Sequence, residues 1–284
     1  MAAFVLAWPG AIAIGLSLGL LGSGGSILTV PVLVYLLDQP EKLAIASSLA
    51  IVGAIAAAGS VPYIRAGLVD WRSVALFGIP GMAGTYLGAW LAMFVPGAFQ
   101  LALFAVVMLA ASVLMLKPLN CDAPGQIRPI WKITMDGLIV GVVTGLVGVG
   151  GGFLVVPALV LLGGLAMRQA VATSLVIIAL KSFSGFYKYL DVLAAESITL
   201  DLEIILLVSG LGIAGTFAGN AIGGRLPQEK LKKTFGIFLV VMGTFSLIRS
   251  APALLERRTY NRNQNNGHQE HFPLSLRIST DHRG

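Results

Sequence analysis

"GLLGSGGSILTVP", residues 19–31, recurs 126 positions later as "GLVGVGGGFLVVP", residues 145–157, with eight of the thirteen positions identical. Glycine in a helix interior costs about 1 kcal/mol relative to alanine, and neither copy lies in a polar loop where that cost would vanish. Each is embedded in a long apolar segment, 34 residues over 4–37 and 33 residues over 133–165. A single helix of the first length would run to about 51 Å. A hydrocarbon core is about 30 Å thick and helix tilts average about 20°, so tilt alone does not hide the excess. A break at the glycines resolves it by making two shorter helices. Pro31 and Pro157 point the same way, because neither has an N–H for the carbonyl four residues back.

The composition sets the class. Hydrophobic residues make up 56% of the 284-residue chain and charged residues 11%, where a soluble domain carries about 25% charged. Apolar segments fall at 4–37, 43–64, 73–95, 98–116, 133–165, 169–187, 203–224 and 233–250, with the charges clustered between them. The expected fold is an all-α polytopic membrane protein. The net charge of +6 reads as basic loops on the anionic, cytoplasmic face of a bilayer rather than as a nucleic-acid footprint. With Cys121 as the single cysteine, an intramolecular disulfide is impossible. The apolar N-terminus lacks a basic n-region, so the first segment reads as retained.

The halves match beyond the glycines. "ASSLAIV" (46–52) aligns with "ATSLVII" (172–178) at the same offset of 126, and "GTYLG" (84–88) with "GTFAG" (215–219) at 131. The five extra residues are assigned to a loop, "LDVLAAESITLD" (190–201). The chain thus reads as two homologous four-segment repeats: 1–118, a cytoplasmic linker 119–132 carrying Cys121, 133–250, and a polar tail 251–284 of disordered composition. All three histidines lie in that tail. If each broken segment crosses the membrane, there are eight spans and the repeats are parallel. If each is a re-entrant hairpin, the repeats are inverted. Basic residues beside span ends divide ten to five in the inverted arrangement and nine to six in the parallel one, a slight preference for the inverted. GxxxG spacings at Gly15/Gly19, Gly84/Gly88, Gly141/Gly145 and Gly215/Gly219/Gly223 read as close helix packing in lipid.

Function classes fall away by the same reasoning. No carboxylate and no histidine stands mid-span, which argues against a carboxylate proton relay, an intramembrane aspartyl protease and a zinc protease. The glycine runs lack the Lys-Ser/Thr of a phosphate-binding loop. An enzyme, a metal site and a cofactor are therefore not expected. What remains at depth is donors. Exposed backbone survives inside a membrane only where protein buries it or it lines a cavity, and two matching Gly/Pro-interrupted segments point to a transporter's binding site. Half-helix N-termini offer N–H groups to an anion. The candidates are Gly22, Ser23, Gly24, Gly25 and Ser26 in one copy and Gly148, Gly150, Gly151 and Gly152 in the other, with Ser47, Ser48, Thr173 and Ser174 on the helices that follow. Lys181 lies seven residues after Ser174, on about the same helix face. A lysine near the bilayer centre costs about 2.5–3.5 kcal/mol. It either snorkels to the surface or offsets the charge of an anion. The plainer alternative for the glycines is a pair of kinked helices that serve packing alone.

The doubled "GLxGxGGxxLxVP" motif, with "ASSLAIV" and "ATSLVIIALKSFSGF", resembles the TauE/SafE sulfite exporter family over about residues 10–250. The resemblance implies a duplicated inner-membrane transporter of sulfite, sulfoacetate or related organosulfonates. In the family's pattern the position of Lys181 is more often asparagine, and the long tail lies outside the motif. The expected partners are the small anion and the lipid bilayer, with a homodimer left open. Two other readings stand beside the exporter: an uptake carrier or channel for another small anion, and a sensory or structural membrane subunit that works through its tail.

Overall fold

A computed structural model of the chain describes residues 2–116, 130–148, 152–223, 227, 230, 233–234 and 236–248. The Cys121 linker and the tail lie outside the described residues. Every regular element among the described residues is helical. In the first half, α1 (Ala2–Leu21) is followed by α2 (Gly24–Pro31), which passes into a π turn at Val32–Leu36. Next come α3 (Glu41–Arg65), the one-turn α4 (Trp71–Ser73), a π turn at Val74–Gly78, α5 (Ile79–Leu91) and α6 (Gly97–Leu116). The second half has α7 (Ile130–Val147), α8 (Gly152–Pro157) with a π turn at Ala158–Leu162, α9 (Met167–Ala195) and α10 (Leu202–Gly223). A shorter apolar helix, α11 (Gly236–Ile248), ends the described chain. Among the described residues, five stretches are long and apolar enough to cross a membrane: α3, Trp71–Phe94, α7, α9 and α10.

Both long segments break, and they break at glycine. Gly22 and Gly148, equivalent residues, have φ of +72° each, a left-handed conformation that costs an L-residue roughly 1–2 kcal/mol. Each closes the preceding helix by donating its N–H at 2.8 Å, Gly22 to the Leu18 carbonyl and Gly148 to that of Thr144. The prolines have a different job from the one their position suggested. Pro31 and Pro157 end α2 and α8, and a π turn begins at the next residue in both. A proline cannot donate to the carbonyl four residues back, and a widened turn absorbs the missing bond. The two π turns also close alike, with Gln39 N donating to Leu33 O at 3.0 Å and Leu165 N to Leu159 O at 3.1 Å.

After its break the first segment turns back on itself. A Cβ added at Gly25 would strike Leu18 and the Ile14 carbonyl, and one at Gly10 would stand 3.1 Å from Val32 and 3.9 Å from Leu36. The return arm, α2 and its π turn, therefore runs antiparallel along α1. Glycines set the other close approaches. On α1, Gly15 and Gly19 abut the carbonyls of Gly212 and Thr216 on α10, while Gly215 and Gly219 abut those of Ile12 and Leu16. Likewise, Gly84 and Gly88 of α5 meet Leu138 and Val142 of α7, and Gly141 and Gly145 meet Gly81 and Thr85. Each repeat's first helix thus lies parallel to a late helix of the other repeat. The equivalent helices α3 and α9 instead run antiparallel, since Gly53 faces Ser182 while the earlier Leu49 faces the later Gly185.

One expected boundary moves. The stretch assigned to an inserted loop continues α9 as far as Ala195, and Ser197, at φ +55°, follows the helix. Tyr189, Val192 and Leu193 are buried there against Ile45, Leu49 and Ala89, so packing extends the helix through residues that read as polar linker.

Candidate functional site

The two broken segments meet. A Cβ added at Gly152 would lie 2.9 Å from the Ser23 Cβ and the Ser26 Oγ, and 2.8 Å from the Ile178 Cδ1. Ser26 and Gly152 stand at corresponding positions of the repeated motif, 126 residues apart. Two further bonds are related by the same offset. Ser48 Oγ of α3 lies 2.7 Å from the Gly148 carbonyl, and Ser174 Oγ of α9 lies 3.2 Å from the Gly22 carbonyl. Each repeat uses the hydroxyl of its long helix to hold the glycine break of the other. The carbonyl freed at each break is thereby satisfied inside the protein.

This geometry separates the hydroxyls by what they do. Ser26 donates to Ser23 O at 2.7 Å. Ser48 and Ser174 also lie within bonding distance of the carbonyls of Ile45 and Val171, at 2.8 Å each. All three sit on backbone acceptors of their own chain. Ser23 and Ser47 differ: both are fully buried and neither Oγ has a partner. Ser23 precedes α2 without capping it, so the first-turn N–H groups of that helix receive no side-chain oxygen from it. A buried hydroxyl beside uncapped N–H groups is a donor set for an anion. Gly24 and Gly25 contribute closeness instead. A Cβ at Gly24 would come within 3.2 Å of the Ser17 Cβ, and one at Gly25 would enter Leu18.

Not every candidate joins this crossing. Thr173 is fully buried, and its Oγ1 accepts the Asp70 N–H at 3.0 Å. Asp70 in turn caps α4, its carboxylate accepting from the Arg72 and Ser73 N–H groups at 3.3 Å each. Ser47 occupies the equivalent position on α3. Gly150 and Gly151 lie outside the described residues.

Lys181 does not snorkel. It is fully buried within the protein and its Nζ has no hydrogen-bond partner. Its stem packs over α5, with Cδ and Cε 3.1 and 3.3 Å from the position a Gly81 Cβ would take, and Nζ lies 5.9 Å from the centre of the Phe77 ring. Ile178, one turn earlier on α9, is the residue that reaches Gly152. The lysine is therefore next to the crossing along one helix face, with its head turned toward α5. Beside it Ser182 is buried with a free Oγ. Phe77, Gly81 and Ser182 carry no mark in the sequence. They acquire a role only because α5 and α9 pack together.

Comparisons with known proteins group the chain with membrane transporters. The pattern that defines the family described as sulfite exporter TauE/SafE matches residues 7–246. A probable membrane transporter protein of Xylella fastidiosa is 31% identical over 251 residues, which cover 85% of this chain and 94% of that protein. The probable membrane transporter proteins MJ0441 of Methanocaldococcus jannaschii and YunE of Bacillus subtilis are 26% and 29% identical over 86% and 79% of this chain, and 97% and 90% of their own lengths. No solved structure matches the chain. These relatives are transporters and not enzymes. The chain is a multi-pass membrane transporter and belongs to the sulfite exporter TauE/SafE family.

Proposed function

We propose that the protein is a secondary carrier that exports a small sulfur-containing anion, such as sulfite, sulfoacetate or a related organosulfonate, across the cell's inner membrane. The anion binds where the two broken segments cross. The observation that carries this reading is the buried, unpartnered Ser23 hydroxyl beside the uncapped first turn of α2, directly against Gly152 of the other repeat. N–H and O–H donors there replace the hydration shell of a sulfonate. Gly152 stands at the matching place of the second repeat, and Lys181 lies one turn beyond Ile178 on α9, beside the crossing. The sulfur chemistry comes from the family's description and the anionic preference from the donor set.

The repeats are inverted in this proposal, 1–118 against 133–250, with the Cys121 linker in the cytoplasm. Three features support it. The return arm of the first hairpin runs back along α1. The equivalent helices α3 and α9 are antiparallel. Lys42, at the start of α3, pairs with Glu196, at the end of α9. Eight successive crossings would put those last two residues on opposite faces. An inverted pair rocking about a shared midplane site is a common architecture for secondary transport.

Reconstituted protein tests the function directly. Flux of sulfite, sulfoacetate, taurine, sulfate and chloride would be followed in proteoliposomes. Saturable, counterflow-competent transport of sulfite or a sulfonate is expected. Folded protein that moves none of the five, or passes chloride without saturation, overturns the carrier reading.

A further inference from the structure

The two faces that lead away from the crossing correspond position by position, and one position changes from apolar to basic. On α9, Ser174, Ile178 and Lys181 lie at i, i+4 and i+7. Ser174 meets Gly22, Ile178 meets Gly152, and Lys181 meets Gly81. On α3 the equivalent residues are Ser48, Val52 and Ile55. Ser48 meets Gly148, and Ile55 packs against Gly212, the equivalent of Gly81. Where the first repeat closes this face with an isoleucine, the second places a fully buried lysine whose Nζ has no hydrogen-bond partner.

A second, independent difference lies on the opposing helix. Val74–Gly78, which holds Phe77 under the lysine, is a π turn. The equivalent stretch of the other repeat, 205–209, is uninterrupted α-helix within α10. Single π turns in helices are frequent at functional sites. The lysine and the π turn therefore mark the same one of two corresponding helix contacts, Lys181 on Gly81 and not Ile55 on Gly212. The next residue along, Ser182, adds a buried free hydroxyl where the first repeat has Ala56.

We infer that the cluster of Lys181, Phe77, Gly81 and Ser182 is an anion station present in only one of the two half-paths that the repeats create. This rests on the carrier reading above and deepens it. In an inverted-repeat carrier the half-paths opening to the two faces are images of each other, so a binding group present in one repeat serves one face. The ligand is a small oxyanion, because the cluster presents the Lys181 Nζ and the Ser182 hydroxyl, both buried and without a hydrogen-bond partner. The consequence is sidedness: the anion is held more tightly when it enters from one membrane face than from the other.

The test is half-saturation for sulfoacetate at each face separately, in proteoliposomes whose insertion is read from protease access to a C-terminal tag. Wild type is expected to differ between faces on the order of tenfold, the effect of one charge-assisted hydrogen bond. Lys181→Ile, which copies Ile55, should weaken the tighter face to the level of the other and leave the weaker face unchanged. The exchange variant Lys181→Ile/Ile55→Lys should move the tighter face to the opposite side. Lys181→Met, which keeps the stem without the charge, should match Lys181→Ile if charge is responsible and guards against a packing defect. An equal change at both faces would assign Lys181 to the shared crossing and overturn the station. No change at either face overturns it as well. Wild type that carries sulfite instead is tested with sulfite in the same way, and no flux of any of the five anions would sink the carrier reading on which it rests.

Discussion

Ser26 and Gly152 hold equivalent places in the two repeats, and they touch each other at the point where the broken segments cross. A pair packed this closely has no slack, because any group added at Gly152 meets the Ser26 side chain.

Gly152→Ala should therefore damage transport more than assembly. The new methyl would meet Ser23, Ser26 and Ile178, each within 2.9 Å. Overpacking of this kind costs roughly 1–3 kcal/mol. A lower melting temperature with folded protein still recovered in detergent, and flux reduced at least tenfold, is the expected pair of results. Undiminished flux would remove Gly152 from the crossing.

The left-handed glycines should respond differently to a second change. Alanine at Gly22 or Gly148 costs roughly 1–2 kcal/mol for the backbone alone. At Gly148 the added Cβ also enters the Ile45 side chain, whereas at Gly22 it comes within 2.9 Å of the Val171 Cα. Ile45→Ala should thus offset part of the loss in Gly148→Ala. Val171→Ala should offset little of the loss in Gly22→Ala, because backbone remains in the way. Thermal denaturation of the singles and doubles measures this, and additivity at Gly148 would contradict it.

Removing the exchanged hydroxyl bonds should cost little and cost alike. Hydrogen bonds between membrane helices average about 0.6 kcal/mol, with a maximum near about 1.7 kcal/mol. Ser48→Ala and Ser174→Ala should each fall in that range by denaturant titration and still fold. A loss several times larger in one of them would show that the repeats do not share the load.

Topology has its own measurement. In a Cys121→Ser background, single cysteines in place of Lys42 and Glu196 should react with an impermeant maleimide from the same face. Cysteines in place of Arg72 and Arg168 should react from the opposite face. Labelling of positions 42 and 196 from different faces would restore the eight-crossing arrangement.

Much of the architecture was legible in the chain. The 126-residue offset, the 34-residue segment too long for one crossing and the glycine run inside it lead directly to two broken helices. Local chemistry decides this, because a positive φ and a missing proline N–H act within a few residues. The role of the prolines was less legible, since an α-to-π change and a fresh helix start remove the same hydrogen bond. The length of α9 was misjudged for another reason: Val192 and Leu193 are helical because Ile45 and Leu49 bury them, and nothing near them in sequence says so.

The candidate site divides along the same line. Composition and repeat spacing alone pick out Ser23, Ser26, Gly152 and Lys181 as unusual at depth. Only the tertiary structure brings Ser26 onto Gly152, gives the Ser48 and Ser174 hydroxyls to the other repeat's breaks and sends Thr173 to the Asp70 loop. It also turns Lys181 toward Phe77 rather than toward the surface. Sequence determines where a helix must break, because strain and hydrogen bonding are local. Which broken ends face each other, and which donors are left unpartnered, is set by contacts between residues more than a hundred positions apart.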